Sequence, residues 1–136
     1  MIYAVIDTNV LVSALLSSNE SSATVIILEK ILKSEVIPLY SDEILQEYKN
    51  VLSRKKFGFD AKLVDILLNF IAQNGISTLP QNTNIALPDI DDLPFYEVFC
   101  AKKDENVFLI TGNIKHFPKE NSILTPREFL DSLNRS

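Results

Sequence analysis

Apolar residues in this chain fall into compact runs separated by longer stretches with helical spacing, and the two kinds of segment alternate. Ile2–Ile6, Val36–Tyr40 and residues 107–111 are short apolar runs, which predicts buried strands. Weaker strands are expected at residues 76–79 and 122–124. A short helix is predicted over residues 10–16, broken by Ser17-Ser18-Asn19. A second is predicted over residues 22–33, with Val25, Ile26, Leu28, Ile31 and Leu32 as its apolar stripe. Ser41 is placed to cap a third helix over residues 42–55, and Phe57-Gly58-Phe59 breaks the pattern after it. Asp60 caps a fourth helix that ends at Gly75, a residue suited to the position after a helix. Residues 80–88 form a polar connection to a fifth helix, which begins near Asp92 and stops by Asp104. Thr125, Pro126 and Glu128 supply the cap, the first-turn proline and the capping box of a last helix.

Strands that alternate with helices predict an α/β fold, a mostly parallel sheet covered on both faces. Right-handed crossovers then bring the carboxyl ends of the strands to one edge. At 136 residues, the chain suits a single domain over residues 1–136, and no internal repeat divides it.

Composition narrows the chemistry. The single cysteine, Cys100, excludes an internal disulfide framework and fits a reducing, cytoplasmic setting. With one cysteine and one histidine, His116, a Cys/His zinc site is excluded, whereas an oxygen-liganded Mg²⁺ or Mn²⁺ is compatible. No apolar run is long enough to cross a membrane, and no signal peptide is expected. The net charge of −5 argues against broad electrostatic binding of nucleic acid, although a metal-binding acidic cluster would itself contribute to it. Local cations stand at Arg54-Lys55-Lys56 and Lys102-Lys103, which read either as solvated helix ends or as phosphate contacts.

Three acids attract attention by position. Asp7 closes the first strand, where open α/β sheets place their chemistry. It reads either as a helix cap or as a cation ligand, since a bare carboxylate there needs a donor or a cation. Taking about 100° per residue, Glu47 lies about 100° from the centre of the Ile44, Leu45, Tyr48, Val51 and Leu52 stripe, and Glu43 about 140°. Glu47 therefore borders the buried face, as a cleft residue or as a partner of a cation such as Arg54, while Glu43 faces solvent. Asp92 shares the buried side of Phe95, Tyr96 and Phe99, whereas Asp91 and Glu97 do not. It reads as a plain cap or as a ligand. His116 reads as a lone loop histidine, inert or a substrate contact.

Four segments together resemble the PIN-domain family, in its bacterial branch of toxin components of toxin–antitoxin systems. They are residues 5–14 around Asp7, residues 41–52 around Glu47, Asp89-Ile90-Asp91-Asp92-Leu93-Pro94-Phe95, and Leu109-Ile110-Thr111-Gly112-Asn113. The resemblance implies a three-layer α/β/α fold with about five strands and Mg²⁺- or Mn²⁺-dependent hydrolysis of RNA. It maps catalytic, metal-binding positions onto Asp7, Glu47, Asp92 and Asn113. The last of these is usually Asp in the family, and Asn offers an oxygen but no charge. One ion is expected, held mainly by Asp7 and Asp92, with Glu47 and Asn113 reached partly through water. Asn9 and Thr111 are expected to orient the carboxylates, and Lys115 or Lys102 to neutralise phosphate. A cognate antitoxin and a homodimer through the second and fourth helices are the partners the family suggests. A PIN-like module that binds RNA or a protein without cutting is the alternative. A haloacid-dehalogenase-type phosphatase is weaker, because its nucleophile loop needs Asp where this chain has Asn9, and its acidic pair follows the Thr-Gly loop rather than preceding it.

Overall fold

The computed structural model describes residues 1–135 and contains one parallel sheet. Its strands are β1 (Ile2–Ile6), β2 (Val36–Tyr40), β3 (Ile76–Ser77), β4 (Val107–Ile110) and β5 (Ile123–Leu124), in the order β3-β2-β1-β4-β5. The helices are α1 (Thr8–Leu16), α2 (Ala23–Leu32), α3 (Asp42–Leu52), α4 (Ala61–Asn74), α5 (Leu93–Lys102) and α6 (Pro126–Asn134). Helix α2 packs on α1 and α6, and α3 packs on α4 and α5, so helical layers cover the sheet as a three-layer α/β/α sandwich. The caps expected from sequence form: Ser41 accepts from Ile44 N, Asp60 from Lys62 N, and Thr125 makes a complete capping box with Glu128.

The boundaries differ in instructive ways. Helix α1 starts at Thr8 rather than at residue 10, directly from the end of β1. Helix α3 ends at Leu52 rather than at residue 55, because Arg54 turns extended and a 3₁₀ turn follows at Lys55–Phe57. Gly58 closes that turn at φ 66, a left-handed conformation that only glycine adopts at little cost. Gly75 is extended instead of left-handed, so it is no ordinary helix-ending glycine. A Cβ there would stand 2.5 Å from the Pro38 carbonyl oxygen and 2.6 Å from that of Ile71, and close packing explains the residue. The strand expected over residues 76–79 shortens to Ile76–Ser77, which pairs only with Leu39 and Tyr40.

The chain runs outward from β1 through β2 to β3, then crosses to β4 and β5 on the other side. The strand order thus reverses between β1 and β4, where a crevice opens at the carboxyl ends. Ile6 pairs with Ile110, so the residues that follow these strands, Asp7 and Thr111, emerge side by side. Tyr48 of α3 fixes the helical layer against this edge. Its hydroxyl donates to the Ile6 carbonyl, and its ring centroid lies 6.0 Å from that of Phe95 in α5. Both rings are almost wholly buried. Burial pushes the Tyr48 phenol above its ordinary range, with the nearby Asp7 adding to the effect, so it remains a donor. Tyr48→Phe should cost about 1–3 kcal/mol, the usual loss when a buried acceptor loses its partner. Urea denaturation of the two proteins measures this, and an unchanged midpoint would show that the bond contributes nothing.

Candidate metal centre

The three acids singled out by position meet around one cleft of about 260 Å³. Asp7, Glu47 and Asp92 line it together with Asp89 and Asp91, and Arg54 and Phe57 also contribute to its lining. Each acid is placed by an apolar neighbour. Asp7 follows Ile6 at the end of β1, Glu47 precedes the buried Tyr48, and Asp92 stands one helical turn before the buried Phe95.

Asp7 is 4% exposed and occupies the cap position of α1, yet its side chain makes no capping bond. Its Oδ2 instead accepts from the Thr111 hydroxyl at 2.7 Å and from Asn9 Nδ2 at 3.4 Å. Asn9 Oδ1 in turn accepts from Gly112 N at 3.2 Å, so Asn9 braces the loop after β4 against the loop after β1. Burial pushes the Asp7 carboxyl up to about 6; the Thr111 bond opposes this and the charge of Asp92 adds to it.

Asp92 is buried and also makes no capping bond. Its Oδ2 lies 2.9 Å from His116 Nδ1. An ionised carboxylate only accepts, so Nδ1 carries the proton in that contact. Burial holds the Asp92 carboxyl above its ordinary range, with the His116 bond pulling the other way. Glu47 is half-buried, and burial followed by the charge of Asp91 raises its carboxyl, while Arg54 lowers it. Glu43 is exposed, as its place on the helix implies.

Other candidates lie elsewhere. Asn113 is exposed and outside the cleft lining; its backbone N donates to the Thr111 hydroxyl oxygen at 2.9 Å. Lys115 is exposed and lines a separate depression with Phe117 and Lys119. Lys102 pairs with Glu105 at the far end of α5 from Asp92. His116, by contrast, is no isolated loop residue. A 3₁₀ turn over Ile114–His116 folds it back onto Asp92, and donor atoms of Asp89, Asp92 and His116 lie within 4.8 Å of one another. Asp89 escaped the periodicity argument because it precedes the helix, although its place three residues before Asp92 was visible.

The donor set fits a hard divalent cation. It consists mainly of carboxylate oxygens that burial and mutual repulsion hold above their usual pKa, an arrangement a cation relieves. One polar atom also wants a partner: Thr8 Oγ1, in a residue 5% exposed that lines the same cleft, makes no hydrogen bond. Among the described residues, no helix is long and apolar enough to cross a membrane.

The family model described as PIN domain matches residues 3–115. No curated protein and no solved structure matches the chain. His116 stands one residue beyond the matched span.

The raised Asp7 pKa makes stability depend on pH in a definite direction. The folded protein holds a proton between 3.8 and about 6 that the unfolded chain has released. The ion-free protein should therefore lose stability as pH rises through that window, by on the order of 3 kcal/mol from Asp7 at most. Asp7→Asn should make this slope shallower, leaving the part that Asp92 and Glu47 contribute, and be the more stable protein at neutral pH without added metal. Thermal unfolding across the window in chelator tests it; a wild type that gains stability as pH rises there would contradict the burial argument.

Proposed function

The chain belongs to the PIN-domain family, whose members are generally nucleases that use divalent metals, and from that premise we propose that it is a metal-dependent endoribonuclease. The observation that carries this reading is the convergence of Asp7, Glu47 and Asp92 on one cleft at the reversal point of the sheet. Mg²⁺ or Mn²⁺ would be the cation, held by Asp7 and Asp92 with Glu47, which lines the same cleft. Asn113 borders this group through Thr111, whose hydroxyl oxygen accepts from its backbone N, and Asp89 adds a further carboxylate beside Asp92.

When bound, such a cation lowers the pKa of a coordinated water and withdraws charge from the scissile phosphate. The protein supplies orientation. Thr111 and Asn9 aim the Asp7 carboxylate, and His116 aims that of Asp92. Glu47, the least buried of the three acids, is placed to accept a proton from the attacking water. Asn9 serves as a brace, which leaves the phosphatase reading without the acid it requires.

Within this reading the chain is the toxin of a toxin–antitoxin pair, and a cognate antitoxin closes the open acidic cleft with a basic side chain. A homodimer would use the outer face of α4, where Leu63 and Ile66 are 63% and 59% exposed. The rival, a module that binds without cutting, is favoured by one observation: Asn113 brings no charge where the family usually has Asp.

Cleavage of a fluorescent single-stranded RNA in Mn²⁺ or Mg²⁺ tests the proposal. Asp7→Asn and Asp92→Asn should each lower the rate at least about 100-fold, and Thr111→Val by about 10- to 100-fold, since it removes an orienting partner. Equal cleavage by all four proteins would mean a contaminant, and no cleavage by wild type would leave the binding module.

A further inference from the structure

The cleft has a second wall whose chemistry is unlike the first. Arg54 and Phe57 line it, and Lys55 and Lys56 stand beside them on the 3₁₀ turn after α3. Among the described residues, none of Arg54, Lys55 and Lys56 makes an ion pair, although the charge of Arg54 acts on Glu47 in the same cleft. Phe57 is half-buried and stacks on Phe59, with centroids 5.5 Å apart and planes 15° from parallel. Phe59 packs against the core, but Phe57 is not among the residues that do. Gly58, at φ 66, makes the tight turn that sets the two rings side by side. The Phe57 ring thus stands at the cleft as an outer layer upon an anchored one, and Lys56 Nζ sits 5.1 Å from its centroid.

We propose that this basic, aromatic wall is the substrate platform, and that it selects a single-stranded RNA by stacking a base on Phe57 while Arg54, Lys55 and Lys56 take the adjoining phosphates. A phosphodiester approaching an acidic cleft meets repulsion, and cations immediately beside that cleft offset it. A half-buried ring next to them offers a face to an unpaired base once Lys56 moves aside, whereas the bases of a duplex are already stacked on one another. Lys56 is no obstacle, because an exposed cation–π contact is weaker than a stacked base and the flexible lysine is freed to meet a phosphate. This deepens the nuclease reading and rests on it for the choice of RNA as the ligand.

Fluorescence anisotropy with a short single-stranded RNA and the same sequence as a duplex, with calcium in place of magnesium, tests the platform. The single strand should bind more tightly. Phe57→Leu, which keeps apolar bulk but loses the π-face, should weaken single-strand binding by about 5- to 100-fold, and Phe57→Tyr should restore it. Removing both Lys55 and Lys56 should reduce the steepness of the salt dependence by about 1 to 1.5 log units per log unit of salt. Equal binding of the two RNAs, binding of neither, or a Phe57→Leu protein that binds like wild type would overturn the platform. The nuclease reading fails separately: a wild type that binds single strands through Phe57 but cuts none in Mn²⁺ keeps the platform and loses the catalyst, while cutting that ignores Phe57 does the reverse.

Discussion

Tyr48 holds the arrangement together. Its hydroxyl is bonded to the carbonyl of Ile6 and its ring meets Phe95, so one side chain joins the central strand, α3 and α5. The acids of the cleft are neighbours of the groups so joined: Asp7 follows Ile6, Glu47 precedes Tyr48, and Asp92 comes one turn before Phe95. The acids converge because the buried residues beside them converge. Attraction among the carboxylates plays no part, since their charges repel. Core packing supplies the force that holds them close, and the dense interior leaves little freedom to splay.

That closeness sets stability against the site's own chemistry. The Asp7 carboxylate is buried beside a second carboxylate, and both resist ionisation. Thr111, Asn9 and His116 return part of the lost solvation through hydrogen bonds, and the orphan hydroxyl of Thr8 marks where it is incomplete. Strain of this kind gathers at functional sites, where a ligand relieves it. In the proposed reading the cleft divides the labour: its carboxylates would gather the cation, while the turn after α3 would offer cations and a ring to the substrate.

Periodicity made the layers readable in advance. Apolar runs marked the principal strands, caps marked the helix starts, and alternation implied the parallel sheet and its single functional edge. The same logic placed Asp92 inside and Asp91 outside, and set Glu47 at the boundary of its helix; the structure has them so. It failed where the chain leaves regular structure. After Ile110 no period governs direction, so the turn that buries the Thr111 hydroxyl, exposes Asn113 and folds His116 back to Asp92 could not be foreseen. Asp89 and Phe57 lie on similar short turns. Gly75 was noticed for the wrong reason, because the carbonyls that exclude a Cβ come from β2 and α4 and show only in three dimensions.

The most direct measurement is a calorimetric titration of Mn²⁺ into the protein near the Asp7 pKa of about 6, repeated in buffers of different ionisation enthalpy. The account predicts saturable binding with net proton release, because carboxyls held above their ordinary pKa must ionise to coordinate, and affinity at least about tenfold weaker in Asp7→Asn and in Asp92→Asn. Binding of equal strength to all three proteins, or no binding to wild type, would contradict it.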